Sequence, residues 1–455
     1  MAELKTRTMT GSAAAGTLGS LDPARLFAGL RAGGEPHWLL ERRAAFLRRF
    51  RETGLPAPFE EDWRGTDLRD FGLHRGTEVR AGSADESRLA FSAVGLSLPA
   101  VRPGGCGEAA LVPLAEAAAR DADPLRENLF SGFDLFTAPP LVALNAACLD
   151  GGALFHLPPD VALEAPARID WQPANGQAAH FPHNLVVLEA NSRGALVERF
   201  GGPVEGRDHG FCCAVTEVVV GPGASLDLLT LIDEDHGMGH GHTGVARIAA
   251  GGRLRWYLGS VGGRLVRADI EVTLEGPGAE SRIIGVGVGR GQRHLDTRTV
   301  QRHAAPDTKS TIVFGTLLRG WSRSIYRGLI AMDQGARRGD AYQKNDNLLL
   351  ERGPLAEAIP KLEILTDDVK CSHGSTVGRL SEEELFYTTA RGIPRWRARD
   401  LVAEGFIRRV LSGGGEWNPL AEELFDKARG AVIDDIQPYD TAEHAGEEMD
   451  GTDDE

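Results

Sequence analysis

The chain has 455 residues, of which 42% are apolar and 25% charged, so it is long enough for about three domains and is neither a disulfide-stapled miniprotein nor a disordered polymer. Its net charge of −15 comes partly from the end: residues 440–455 carry eight acids and no Lys or Arg, leaving a body only mildly acidic and without the basic surface that nucleic-acid or anionic-membrane binding needs. Glycine is the anomaly, with 57 residues in the chain.

Residues 1–20 are small and polar and are expected to be flexible, with no apolar stretch of the kind that directs export. No run of 18 apolar residues predicts a membrane span. The five cysteines, Cys106, Cys148, Cys212, Cys213 and Cys371, form no CxxC pair and suit free thiols in a reducing, cytosolic compartment. Over 21–90 a helical region is expected. From Asp22 to about Phe50 the pattern is helical, with Leu39, Phe46 and Phe50 on one face and Leu40 and Leu47 beside them, and the prolines that follow break it before Trp63 and Leu68 dock on a core.

Over 91–380 the chain reads as β. Runs such as NLVVLEA, AVTEVVV and STIVFGTLL alternate or are β-branched, and few windows carry helical periodicity. Turn-forming segments recur at GPGAS (221), AAGG (249), GPGAE (276), APDTK (305) and QGARR (334), spaced by 27 to 29 residues. That period predicts a solenoid whose coils stack on one another, favoured over a large sandwich. Over 381–435 helices return: Ser381 and Glu384 form a capping box, Gly392 is a stop, Pro394 starts a second helix through Val402, Phe406 and Val410, and a third covers about 417–429. These helices are placed to cap one end of the solenoid. Residues 436–455 form an acidic tail expected to be solvated and disordered.

Several segments invite a chemical reading. IDEDHGMGHGHTG brings His236, His240 and His242 close to three acids, but its glycines leave the ligands unsupported, and the reading favoured is a mobile turn between strands rather than a metal store. Its formal GxGxxG, at Gly239, Gly241 and Gly244, is followed by no convincing helix and is rejected as a nucleotide motif. No GxxxxGK[ST] occurs, so the chain is expected to bind no nucleotide through a Walker loop. Cys212 and Cys213 are adjacent, point to opposite faces of a strand, and are expected to be buried as small hydrophobes. GVGVGRG suggests close backbone approach inside a coil. In DDVKCSH an extended backbone places Val369, Cys371 and His373 on one face, with Cys371 and His373 about 7 Å apart. Thiolate plus imidazole suits iron, zinc or an iron–sulfur cluster, yet two ligands are half a set, which points to a site shared across a subunit boundary.

The runs YRGLIAMDQGARRGDAYQKNDNLLL and PKLEILTDDVKCSHGSTVGRLSEEELFYTTARGI, with KCSHG, LFY and RGI in order, resemble the C-terminal half of the SufB/SufD family of iron–sulfur cluster assembly proteins, closest to its SufD branch; the match runs from Tyr326 to about Leu411, and PFEEDWRGTDL echoes an N-terminal motif. The resemblance implies a right-handed parallel β-helix flanked by N- and C-terminal helical domains. It implies a non-catalytic cytosolic scaffold that pairs with a SufB-like subunit through β-helix strands and docks a SufC-like ATPase on its C-terminal helices, with a sulfur-donor system acting indirectly. It places a transient iron–sulfur cluster or iron at the shared interface, with His373 contributing and Cys371 beside it; reduced flavin in the complex is left open. Phe386, Tyr387, Arg391, Gly392, Val402 and Phe406 are assigned to partner binding. Asn345 stands where SufB proteins carry an essential cysteine, which favours the SufD branch, while Asp346 and Gly65 replace residues that are usually basic and aromatic. The alternatives are a homo-oligomeric SufB-like scaffold and, from a different class, an exported polysaccharide-acting solenoid enzyme, with which an N-terminus lacking an export signal disagrees.

Overall fold

The computed structural model describes residues 30–31, 34–68, 91–102, 108–173, 179–202, 210–234, 237–413 and 415–433. The flexible N-terminus expected over 1–20, the acidic tail over 436–455, Cys106 and His236 lie outside them.

Strands of about ten residues alternate between two parallel sheets, each strand pairing with the one two positions away in sequence. In one sheet Ser225 pairs with Arg253, Arg253 with Glu280, Glu280 with Lys309 and Lys309 with Asp340, giving coils of 28, 27, 29 and 31 residues. The expected period is therefore the coil length, and the fold is a parallel β-solenoid. Its physical basis lies at the corners. Gly223, Gly251, Gly278, Asp307 and Arg338 all adopt left-handed φ between +57° and +72°, and they fall in the five turn segments. Each donates its N–H to a carbonyl of the next corner: Gly223 to Ala250, Gly251 to Pro277, Gly278 to Pro306, Asp307 to Arg337. Glycine takes this conformation without strain and aspartate tolerates it, so the corner repeats while the residues around it drift.

Strands in the body of the solenoid, such as Phe211–Val220 and Glu280–Gly289, bury both faces, which is why they read as near-continuous apolar runs. Inside the coils lie Phe155, Trp171, Phe200, Trp256, Ile283 and Ile312 among others. At the N-terminal end the sheets are closed by antiparallel strands: Phe91–Ser97 on Ala167–Pro173, and Ala110–Pro113 on Ala153–Leu157.

Within the stretch read as β, the chain also forms three helices, Leu114–Ala119, Asp123–Asn128 and Pro140–Cys148. The first two span barely a turn and a half, and the third is buried from its second residue to its last, so none has an amphipathic period to display. Helix His37–Thr53 packs on the third through Leu39, Phe46 and Phe50, as its spacing predicts. Arg43 is buried between them, donating to the carbonyls of Ala147 and Leu149 and pairing with Glu35 at 2.6 Å. Trp63 docks as expected, its ring under the Arg267 guanidinium at 3.8 Å. Thr66 donates to the buried Asp296 carboxylate at 2.5 Å, where Arg267 and Arg327 also converge.

The C-terminal helices begin at Glu382, Arg395 and Pro419, and Gly392 stops the first with φ +82°. They do not cap the solenoid. Helices Arg395–Ser412 and Pro419–Ile433 lie flat against the outer face of one sheet, packing Phe406, Ile407, Val410, Leu420 and Leu424 on Leu229, Tyr257, Ile284 and Val313. Gly315 makes room for them: a Cβ there would stand 2.3 Å from Val410. The helices are amphipathic and the flank of the sheet is apolar, so lateral burial satisfies both. The last coil is left to strands Leu355–Ile364 and Val369–Arg379, each paired on one side only among the described residues.

Candidate functional site

The open coil is where Cys371 and His373 lie. Both stand on the edge strand Val369–Arg379, with Cys371 half-buried and His373 exposed. Cys371 sits over Ala341 and leans, with Val369 and Leu362, on a small cluster of Ile330, Met332 and Ala336; burial pushes its thiol up from the ordinary value. Alternation puts His373 on the same face, as the spacing predicts.

Beneath His373 the interior changes character. Down one column the register partners are Trp256, Ile283, Ile312, Gln343 and His373, and down the next Leu258, Gly285, Phe314, Asn345 and Ser375. The deep rungs are apolar and the last two are polar. Gln343 and Asn345 are buried, and Asn347 donates to the Asn345 side-chain oxygen at 2.6 Å. Gln343 lies across Gly328, where a Cβ would come within 2.2 Å of its amide nitrogen, and neither of its amide atoms has a hydrogen-bond partner among the described residues. Gln343 was not singled out from sequence. The signal available was the run QKNDN in a strand whose equivalents in earlier coils are apolar.

The rim of this coil is both hydrogen-bond-hungry and apolar. Among the described residues the edge strand has a neighbour on one side only, which leaves backbone N–H and C=O groups along its other side, and Leu355, Leu365 and Val377 are 63%, 69% and 51% exposed. A thiol and an imidazole on one face, the unpartnered amide of Gln343 beneath them and an uncovered strand edge are the features this coil offers to another sheet.

The remaining candidates divide. Phe386 and Tyr387 are exposed on helix Glu382–Thr389, with the Arg391 guanidinium over the Tyr387 ring at 3.5 Å. Gly392 shapes the turn and Val402 is half-buried. Phe406 is 5% exposed and turned into the sheet, so its assignment to a partner surface is corrected: it is core, because the flank of the solenoid needs an apolar cover. Cys212 and Cys213 are buried on opposite faces, as expected. The mobile turn expected across IDEDHGMGHGHTG is also corrected, since His240 and His242 lie on strand Gly239–Ile248 and are buried inside the coil. Their parallel partners on both sides supply the order that the intervening glycines lack. Among the described residues no helix is long and apolar enough to cross a membrane.

Comparison with known proteins identifies the family this chain resembles. A family profile described as SUF system FeS cluster assembly, SufBD core domain, matches residues 171–406. The chain is 27% identical over 293 residues to an iron–sulfur cluster assembly SufBD family protein of Mycobacterium leprae, covering 64% of this chain and 32% of that protein. It is 27% identical over 296 residues to one of Staphylococcus haemolyticus, covering 63% of each. A relative from Mycobacterium tuberculosis is 31% identical over 211 residues, 46% of this chain and 24% of that protein. The chain thus spans less than two thirds of the length of these relatives.

Proposed function

This chain belongs to the SufBD core family of SUF-system iron–sulfur cluster assembly proteins, and from that premise we propose that it is a non-catalytic, cytoplasmic scaffold subunit of the SufD type. The open last coil pairs with the matching coil of a SufB-like subunit, and a nascent cluster or iron is held between them by His373, with Cys371 alongside. The single observation that carries this reading is the uncovered strand Val369–Arg379, which presents His373 directly above the buried polar Gln343, with Asn345 two residues along the same strand. Strand-edge pairing supplies affinity through main-chain hydrogen bonds, and the exposed Leu355 and Val377 gain cover at the same time.

Asn345 supports a SufD-type role over a homo-oligomeric one, since a buried amide supplies no thiolate at that position. ATP hydrolysis belongs to a SufC-like ATPase docked on the exposed aromatics of helix Glu382–Thr389, whose motion would rearrange the subunit boundary. The cluster is cargo in this scheme, and the chain binds no nucleotide of its own.

The test is co-expression with SufB-like and SufC-like partners. His373→Ala should leave the complex intact while abolishing iron and sulfide build-up; normal cluster content in the variant would refute the role.

A further inference from the structure

Toward the N-terminal side of the solenoid the interior holds a second group of donor atoms. Cys212 and His240 are register partners on neighbouring strands, Phe211–Val220 and Gly239–Ile248. Glu234 ends strand Ser225–Glu234 of the facing sheet, so the corner of the coil carries its carboxylate across to them. One donor atom from each of the three lies within 4.8 Å of the other two. All are sealed from solvent, at 0%, 2% and 0% exposure for Cys212, Glu234 and His240.

The group is ordered yet incomplete. His240 Nδ1 meets Glu234 Oε1 at 3.0 Å, while His240 Nε2 and Glu234 Oε2 have no hydrogen-bond partner among the described residues. The His240 ring is stacked on His242 at 5.9 Å and met edge-on by Phe200 at 5.1 Å, so it is held in place. A buried carboxylate oxygen and a buried imidazole nitrogen left without partners are costly, and packing denies them water-exposed alternatives. A cation held by this group would give its buried donor atoms a partner in place of water.

We propose that Cys212, Glu234 and His240 form a buried metal site for a divalent ion of the zinc class. Sulfur, nitrogen and oxygen donors together select a borderline ion such as Zn²⁺, Co²⁺ or Fe²⁺ over Mg²⁺ or Ca²⁺, which want oxygen alone. Three protein ligands leave one position of a tetrahedron free. On binding, Cys212 releases its thiol proton and ligates as thiolate, so one proton leaves for the ion that enters. The site is separate from the open coil: His240 pairs with Val266, Val266 with Leu295, Leu295 with Ser324 and Ser324 with Ala356 on the terminal strand, four rungs or roughly 19 Å away. It does not depend on the scaffold reading. Because the ligands are closed in, the ion is taken up as the coil folds.

The test uses the full chain, unfolded under chelation and refolded with Co²⁺ as the probe. One Co²⁺ per chain is expected, with a thiolate-to-metal charge-transfer band and the strong ligand-field bands of a tetrahedral centre. Cys212→Ala should remove the charge-transfer band, Glu234→Gln should weaken binding by about tenfold or more, and Cys371→Ala should change neither. Should Cys212→Ala not refold, mapping decides on the natural chain: bound Co²⁺ should slow alkylation of Cys212 during partial unfolding. A native-like refolded chain without stoichiometric Co²⁺, a charge-transfer band that survives Cys212→Ala, or equal alkylation with and without the ion would overturn the proposal.

Discussion

Gln343 and His373 are register partners on the last two rungs of one sheet, and the buried amide of Gln343 has no hydrogen-bond partner among the described residues. A packed core would place an apolar residue at such a point, as the preceding rung does with Ile312. Gln343→Met keeps the length of the side chain and removes the unpaired polar atoms. The isolated chain should gain about 1 kcal/mol in denaturant unfolding, while cluster build-up in the co-expressed complex should fall. A loss of stability of that size would mean that the amide is satisfied after all and that the floor of the site is ordinary core.

The glycine-alternating strand Glu280–Gly289 makes a sharper packing prediction. A Cβ at Gly285 would lie 2.0 Å from the Phe314 ring, which fills the rung above it. Gly285→Ala should therefore destabilise the chain by roughly 1–3 kcal/mol through overpacking. Combining it with Phe314→Leu should cost less than the sum of the two single changes. Additive effects would show that the ring moves aside freely.

His303 gives a pH signature. It is buried between the Thr308 and Ser310 hydroxyls at 2.8 Å each, and burial lowers its pKa to about 4. The unfolded chain, titrating near 6.5, binds more protons between these values, so this residue's contribution is complete above pH 6.5 and is lost as pH falls toward 4. The loss is on the order of 3 kcal/mol across that window. Measured unfolding free energies should decline less steeply from pH 6.5 to 4.5 in His303→Gln than in the natural chain, and parallel declines would remove His303 as the cause.

The exposed aromatics separate fold from docking. Phe386 and Tyr387 are 73% and 63% exposed, so Phe386→Ala with Tyr387→Ala should shift stability by no more than about 0.5 kcal/mol each. Capture of a SufC-like ATPase should nevertheless be lost. Undiminished capture by the double variant would move the docking surface elsewhere on the helices.

Much of this molecule was legible in its residues. The turn segments fall every coil because each must supply a left-handed corner whose N–H reaches the next corner, and Gly223, Gly251 and Gly278 announce that need locally. Ser381, Gly392 and Pro394 likewise mark helix boundaries through backbone preferences that act over a few residues. Cys371 and His373 could be placed on one face because alternation is a property of a single strand.

What the chain alone could not reveal is which surfaces meet. Phe406 looks the same in sequence whether it faces a partner or the flank of the solenoid, and only the packing of helix Arg395–Ser412 on Val313 and its neighbours makes it core. His240 read as part of a glycine-loosened turn until parallel strands on both sides held it beside Cys212, 28 residues earlier. Glu234 joins them from the facing sheet. Propensity and period are local and survive in one dimension; donor clusters, buried amides and open edges arise when distant rungs are stacked, and their energies depend on the neighbours that stacking brings.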